Sequence, residues 1–398
     1  MNLSLDLETK IIYSLSIITV YNLTYIDYSY SFVVTNFNSK LNINRLYYHF
    51  PPAGSLRCEE KIRSIKVCNG LFSRRILYTK WLLFLLIYGL KTSNSLYDKL
   101  INRVIMETEM MEAGWKSTRL PVNGLTLHVV EAGPEDGPLL ILLHGFPEFW
   151  WAWRHQITPL ADSGYHVVVP DMRGYNSSDG PQKISSYLLD TLVADVMALA
   201  DHYGNERFHL VGHDWGGIIA WGAGISHSNR LERLVIMDAP HPDLSTEEIL
   251  KHPTQALRST YVALFQLPWL PEAVLGALDF AALRAMVESS GRLDTFKPGD
   301  MERYAEAWAH PGSLTAMLNY YRALRDRKKP DQPARIPCPT LVLWGEKDSF
   351  LEHHVAHAGL DLCDNGRLTM VQGATHWLHL EEPARVNAEI IEFLGSVK

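Results

Sequence analysis

Short apolar runs alternate with helical patterns from about residue 106 to the end of the chain. Six runs have the length and flanking turn residues of strands: 125–130, Leu139–Leu143, 167–169, 209–211, 234–237 and 341–343. Helical periodicity marks three stretches: 186–202, 218–226 and 384–394. Because strands that alternate with helices form parallel sheets covered on both faces, this pattern predicts an α/β fold with a mostly parallel sheet and helices on both faces.

About 100 residues without a clear strand separate the run that ends near Asp238 from the run that begins near Thr340. This stretch has helical patterns and is rich in Leu, Ala, Trp and Tyr. An insertion at the carboxyl end of a strand lies where open α/β sheets bind ligands. We therefore expect a helical lid at about residues 242–332, inserted before the last strands.

The first hundred residues differ in composition from the rest. Residues 1–104 hold 13 Lys and Arg against 6 Asp and Glu, whereas the remaining residues hold 24 against 38, so we place a boundary near Met106. We predict a main domain at 106–398 and no independent domain at 1–105. Three interpretations of 1–105 remain open: a poorly ordered extension, upstream sequence translated from a wrong start, or a weak membrane anchor. The anchor would use the apolar stretch 81–90, which is too short for the roughly 20 residues of a membrane span.

Charge and cysteine content limit the partners and the compartment. The formal net charge of −7 provides no basic face for phosphates, so we predict no nucleic-acid partner. The cysteines form neither a CxxC pair nor a metal-ligand spacing: Cys58, Cys68, Cys338 and Cys363. We therefore predict a reducing, cytoplasmic location, with membrane association through residues 1–105 as the alternative. The oligomeric state stays open.

Histidines near residue 355 have a spacing that also occurs in metal sites. His353 and His357 form an i, i+4 pair on a possible helix, with His354 between them. No acidic partner motif of the zincin type accompanies the pair. We therefore predict a solvated or packing role for these histidines, no metal site and no cofactor.

The segment VGHDWGG at 211–217 joins an apolar strand to a helical pattern. A sharp strand–turn–helix elbow requires small residues two positions before and after its apex, because its backbone leaves no room for side chains. Esterases have serine at the apex, whereas this chain has Asp214. Considered alone, the segment also fits a turn with a helix-capping aspartate.

Three further segments favour the elbow. HGFPE at 144–148 follows the run Leu139–Leu143, WGEKD at 344–348 follows the run 341–343, and GATHW at 373–377 follows the strand-like 367–371. They supply an oxyanion loop, an acid and a histidine. Nucleophile, acid and histidine then occur in the chain order that α/β-hydrolases require.

Residues 114–398 resemble the epoxide hydrolases of the α/β-hydrolase superfamily, which are close relatives of the haloalkane dehalogenases. The segments HGFPE, VGHDWGG, LNYYR, LWGEKD and THW carry this resemblance. It implies that Asp214 is the nucleophile, His376 the general base and Asp348 the acid that orients it. It also implies an oxyanion hole formed by the backbone N–H groups of Phe146 and Trp215.

The residue types fit this chemistry. A carboxylate can attack a saturated carbon and form an alkyl ester on Asp214, after which His376 activates water to hydrolyse the ester. By the resemblance, Tyr321 of the LNYYR segment donates a proton to the opening ring. Some family members have a second lid tyrosine where this chain has Leu264. We expect Tyr261, one helical turn earlier, to take that role.

The predicted function is the conversion of an epoxide to a vicinal diol. Aromatic side chains in the lid region favour a small apolar or aromatic epoxide: Phe265, Trp269, Phe280 and Trp308. A haloalkane dehalogenase with the same triad is the alternative, although dehalogenases typically have asparagine at the position of Phe146. A non-catalytic ligand receptor or scaffold is the alternative of another class. The complete triad argues against it.

Overall fold

The computed structural model divides the chain into two compact units, Met1–Leu77 and Tyr78–Lys398. It describes residues 18–26, 29–36, 45–50, 106 and 108–395, except 245, 250, 298, 328 and 329. In the first unit it describes an antiparallel sheet of three strands: β1 (Ile18–Ile26), β2 (Ser29–Asn36) and β3 (Arg45–Phe50). The proposed anchor at 81–90 lies outside the described residues. The interpretation of residues 1–105 stays a prediction.

The second unit contains an eight-stranded sheet. Its strands are β4 (Lys116–Val122), β5 (Leu125–Ala132), β6 (Leu139–Leu143), β7 (His166–Pro170), β8 (Phe208–His213), β9 (Leu231–Met237), β10 (Thr340–Gly345) and β11 (Gly366–Val371). They lie in the order β11-β10-β9-β8-β6-β7-β5-β4. The pairs β4–β5 and β5–β7 are antiparallel, and the other pairs are parallel. The predicted mostly parallel α/β sheet is confirmed.

Helices connect the strands of this sheet. They are α1 (Ile157–Asp162), α2 (Leu189–His202), α3 (Trp215–His227), α4 (Thr246–Ile249), α5 (Pro253–Arg258), α6 (Thr260–Phe265), α7 (Leu270–Ser290), α8 (Asp300–Trp308), α9 (Ser313–Ala323), α10 (His353–Leu360), α11 (Leu378–Glu381) and α12 (Pro383–Leu394). Short 3₁₀ helices lie at Trp150–Trp153, Ile184–Tyr187, Ser228–Arg230 and Leu324–Asp326. Within the part of the chain that the structure describes, no helix is both long and apolar enough to cross a membrane.

All six predicted strands lie within observed strands, but β4 was missed. Its residues are mostly exposed or half-buried, and it contains Pro121. It is an edge strand that pairs only with β5, so few of its side chains enter the core and the apolar signal is weak.

The insertion between β9 and β10 is helical, as expected. It contains helices α4 to α9, and the described residues between 238 and 339 include no strand. Helix α7 is interrupted at 277–280, where three residues have positive φ. Apart from this interrupted helix, the helices of the insertion have between 4 and 11 residues.

The strand register brings the loops of the site together. Residues near the carboxyl ends of parallel neighbours are paired: Leu143 with Gly212, His213 with Met237, and Gly345 with Val371. The strands β6, β8 and β10 are buried along their whole length because helices cover both faces of the sheet. The loops that follow these strands consequently emerge side by side under the lid.

Candidate active site

Asp214 occupies a sharp turn between β8 and α3. Its backbone has φ 49° and ψ −116°, a conformation that non-glycine residues rarely adopt. Close packing requires glycine on either side: a Cβ added to Gly212 would lie 2.2 Å from the carbonyl oxygen of Gly216, and one added to Gly216 would lie 2.2 Å from that of Leu143. The turn therefore holds the Asp214 side chain above the carboxyl ends of the strands.

The two carboxylate oxygens of Asp214 have different neighbours. The backbone N–H of Phe146 donates a hydrogen bond of 2.7 Å to Oδ1. Nε2 of His376 lies 3.7 Å from Oδ2. Trp215 is buried and begins α3 directly after Asp214, and its part as a second backbone donor stays a prediction.

The loop after β10 orients His376. Nδ1 of His376 is 2.8 Å from Oδ2 of Asp348, while Oδ1 of Asp348 accepts hydrogen bonds from the backbone N–H groups of Phe350 (2.7 Å) and Leu351 (3.0 Å). Burial alone would lower the pKa of His376, but the negative charges of Asp348 and Asp214 outweigh it and hold this pKa well above its usual value. The structure thus brings Asp214, His376 and Asp348 together.

Glu148 is a buried charge that the sequence reasoning did not single out. Its carboxylate lies 2.9 Å from Nδ1 of His213 and 3.1 Å from Nε2 of His379, and it accepts the backbone N–H of Gly145 at 3.2 Å. His213 is also hydrogen-bonded through Nε2 to the carbonyl oxygen of His376, at 2.9 Å. Glu148 therefore links three segments: the loop after β6, the elbow at Asp214 and the segment around His376.

The electrostatics of Glu148 follow from these contacts. Burial would raise the pKa of Glu148, but the two histidines hold it well below its usual value. Burial lowers the pKa of His379 to about 4. The motif HGFPE offered the only available signal, because nothing local to residue 148 shows that His213 and His379 approach it.

Asp238 is a second acid that the sequence reasoning left unassigned. It follows β9 with φ 43°, and its Oδ1 accepts the backbone N–H of Gly345 at 2.9 Å. Its Oδ2 is buried with no hydrogen-bond partner among the described residues. Burial and the nearby charge of Asp348 raise the pKa of Asp238 well above its usual value.

Both predicted lid tyrosines lie next to the elbow. The ring centroid of Tyr321 is 5.2 Å from that of Phe146 and 5.1 Å from that of Trp215, and Tyr261 is 5.9 Å from Tyr321. Leu264, at the alternative position, is 43% exposed. Burial raises the pKa of both phenols above 10, and the charge of Asp214 adds to the effect. Both therefore keep their protons at neutral pH.

The other aromatic residues of the lid differ in position. Phe265 is buried, and its ring centroid is 5.6 Å from that of Phe146. Phe280 packs against Trp308 at 5.7 Å, and Nε1 of Trp308 donates to the carbonyl oxygen of Pro147. Trp269 is 72% exposed, unlike buried Phe265 and Trp308. It follows a turn between two lid helices, where composition does not indicate which way a side chain points.

The arrangement can perform nucleophilic substitution by a carboxylate. One oxygen of Asp214 is held by a backbone donor, and the other faces an imidazole whose orientation is fixed by a buried acid. Two phenols of the lid are close enough to Asp214 for its charge to raise their pKa. Groups of these types are chemically able to act as a nucleophile, a base for water and proton donors for a leaving group.

Comparisons with known proteins show the family of this chain. A family model described as the alpha/beta hydrolase fold matches residues 138–383. AB hydrolase superfamily protein YfhM from Bacillus subtilis is 45% identical over 281 residues, covering 71% of this chain and 98% of its own. Epoxide hydrolase 4 from Mus musculus is 39% identical over 284 residues, covering 69% and 78%. Epoxide hydrolase 2 from Caenorhabditis elegans is 33% identical over 327 residues, covering 81% and 91%.

The similar solved structures are also those of epoxide hydrolases. A structure of novel epoxide hydrolases from metagenomes of hot environments superposes with a TM-score of 0.64 at 34% identity, covering 71% of this chain and 99% of its own. The epoxide hydrolase of Bacillus megaterium in complex with an inhibitor superposes with a TM-score of 0.63 at 29% identity, covering 70% and 99%.

Replacing Glu148 by Gln tests the link between the three segments. Because the pKa of Glu148 is depressed in the folded state, its stabilisation is fully present above its unfolded pKa of about 4.5 and is lost as the pH falls below it. We expect Glu148→Gln to lower the free energy of unfolding by about 3 kcal/mol at neutral pH, and the difference to shrink below about pH 4.5. Urea denaturation across this pH range measures both effects.

The matched control is Glu135→Gln, because Glu135 is an exposed carboxylate whose side chain is 75% accessible. We expect it to leave the free energy of unfolding unchanged at neutral pH. Equal stabilities of Glu148→Gln and the unsubstituted protein would contradict the linking role of Glu148.

Proposed function

The chain belongs to the epoxide hydrolases of the α/β-hydrolase superfamily, and we propose that it converts an epoxide to a vicinal diol through an alkyl ester on Asp214. The observation that carries this proposal is the position of an aspartate, rather than a serine, at the apex of the elbow. Oδ1 of Asp214 accepts the Phe146 N–H, so Oδ2 is the oxygen directed at a substrate.

In the first step, Oδ2 of Asp214 attacks an epoxide carbon and forms a new C–O bond while the ring C–O bond breaks. The epoxide oxygen takes up negative charge and needs a proton. Tyr321 and Tyr261 provide it, because both phenols stay protonated and lie beside Asp214. A halide leaving group needs no such proton, so the pair of phenols favours an epoxide over a haloalkane.

In the second step, His376 removes a proton from water and the hydroxide adds to the carbonyl carbon of the ester. Charge then develops on Oδ1, where the Phe146 N–H already donates. Collapse breaks the bond between this carbon and Oδ2 and releases the diol, whose alkoxide takes the proton of the new carboxyl group. The proton on His376 restores the tyrosine, so the proton count closes.

Alkylation of Asp214 prepares His376 for this second step. Burial lowers the pKa of His376, and the charges of Asp348 and Asp214 raise it. The ester on Asp214 is neutral, so one of the two raising charges disappears when it forms. The pKa of His376 then falls, which favours the neutral imidazole that the second step requires.

Aromatic side chains around the nucleophile support an apolar or aromatic epoxide as substrate. The rings of Phe146, Phe265 and Trp215 surround the Tyr321 ring, with centroid distances of 5.1 to 5.2 Å. Such surfaces bind apolar groups by excluding water. Water is the second substrate, and the reaction as proposed uses neither a cofactor nor a metal ion.

Diol formation by the full-length chain, with styrene oxide and a panel of small epoxides, tests the activity. We expect the unsubstituted protein to form diol. Asp214→Ala should form diol at a rate that is lower by about a thousandfold or more, because no other group takes the place of the nucleophile. A parallel assay with a bromoalkane monitors halide. Halide without diol would make the protein a dehalogenase, and neither product would favour a non-catalytic receptor or scaffold.

Substitution of the lid tyrosines tests the proton donors. We expect Tyr321→Phe and Tyr261→Phe each to lower kcat for styrene oxide by about tenfold or more, and the double variant to lose about 10³-fold, because either phenol partly replaces the other. Steady-state diol formation measures the effect.

Tyr320→Phe is the matched control in the same helix. The Tyr320 hydroxyl donates to the carbonyl oxygen of Arg173 and serves packing, so its loss should affect stability more than kcat. Equal losses of kcat in Tyr320→Phe and Tyr321→Phe would assign Tyr321 to packing.

A further inference from the structure

We propose that His252, Glu352 and His354 bind a divalent transition-metal ion, with Zn²⁺ as the best-suited candidate. One ring nitrogen of each histidine and one carboxylate oxygen of Glu352 lie within 4.8 Å of one another. Two imidazoles and one carboxylate are a ligand set that zinc prefers. The proposed ester chemistry on Asp214 uses none of these three residues, so this site is independent of the proposed function.

The surroundings of His354 are those of a metal ligand. Nε2 of His354 lies 3.2 Å from the backbone carbonyl oxygen of Glu248, which can only accept, so Nε2 carries a hydrogen. Metal-bound histidines usually donate their second N–H to such a carbonyl group. Nδ1 of His354 lies 3.5 Å from Oε2 of Glu352. These two atoms are close enough to bind the same metal ion.

His252 supplies a second imidazole to the cluster. Its ring centroid is 4.5 Å from that of His354, with 39° between the ring planes. Two imidazoles at this separation can bind the same metal ion. Ligand atoms bound at about 2.0–2.2 Å to a tetrahedral zinc ion lie about 3.3–3.5 Å apart, which matches the His354–Glu352 distance. His252 is exposed and can rotate to complete the set.

The carboxylate of Glu352 is held in place by the lid. Its Oε1 accepts a hydrogen bond of 2.5 Å from the Thr254 hydroxyl, and its backbone N–H donates to Oε1 of Gln255 at 2.8 Å. Nε of Arg258 lies 3.8 Å from Oε1 as well. These contacts engage one oxygen and leave Oε2 directed at His354, so the ligand geometry is largely formed in advance.

This metal site would lie between the start of the lid and the loop after β10. His252 directly precedes lid helix α5, while Glu352 and His354 follow Asp348 along the chain. Lid residues already contact the loop after β10, which contains Asp348. Arg258 donates to the carbonyl oxygen of Asp348 at 2.7 Å, and Gln255 donates to that of Phe350 at 2.9 Å. A bound ion would cross-link the start of the lid to the loop that orients the catalytic histidine.

Isothermal titration calorimetry with ZnCl₂ tests this site on the full-length chain, after removal of any affinity tag and treatment with EDTA. We expect one Zn²⁺ per chain, and no response to MgCl₂, because imidazole ligands are poorly suited to Mg²⁺. His252→Ala and His354→Ala should each weaken Zn²⁺ binding by about tenfold or more. His357→Ala is the matched control, since this exposed histidine lies on α10 outside the cluster.

Thermal unfolding provides a second measurement. Saturating Zn²⁺ should raise the melting temperature of the unsubstituted protein and of His357→Ala by at least about 2 °C, and the rise should disappear in His252→Ala. Glu352→Gln, which keeps the size of the side chain, serves if an alanine variant does not fold. Absence of Zn²⁺ binding, or binding that all three cluster variants retain unchanged, would overturn the proposal.

Discussion

Close packing of backbone around Asp214 is the constraint on which the rest of the site depends. A non-glycine residue at φ 49° persists only where its surroundings enforce it, and here the backbone of Leu143 and Gly216 leaves no room for a Cβ on the flanking glycines. The same contact brings the loop after β6 against the elbow. The Phe146 N–H consequently donates to the Asp214 carboxylate.

Buried charge is the second organising feature, and it is balanced locally. Glu148 lies between two histidines, Asp348 pairs with His376, and burial raises the pKa of Asp238 well above its usual value. Each arrangement avoids an uncompensated charge in a region with little solvent. The balance also couples the steps of the proposed reaction, because neutralising Asp214 changes the pKa of His376.

The sequence predicted the parts that depend on local pattern. Buried strands appear as apolar runs, and the elbow appears as glycines at fixed distances from Asp214. It did not predict the edge strand β4, whose side chains are mostly exposed or half-buried, or the role of Glu148, which depends on His379 more than two hundred residues away. Composition also did not indicate that the Trp269 side chain would be 72% exposed.

The histidines near residue 355 show the same limit. The spacing of His353 and His357 drew attention within one helix, whereas the structure brings His354 to His252, on a separate lid segment. Tyr261 is the opposite case: the resemblance implied a lid tyrosine at the position of Leu264, helical spacing moved that expectation to Tyr261, and the ring of Tyr261 packs against Tyr321. The sequence thus predicts which residues lie near each other within one helix or strand. Contacts between separate elements are known only from the folded structure.

A single turnover in ¹⁸O-labelled water, with enzyme in excess over an epoxide, tests the ester on Asp214 most directly. The account predicts that the first diol released contains unlabelled oxygen from Oδ2 of Asp214, and that mass spectrometry finds the label in the peptide that contains Asp214. Label in the diol from the first turnover, with none in that peptide, would contradict the account, because water would then have attacked the epoxide directly.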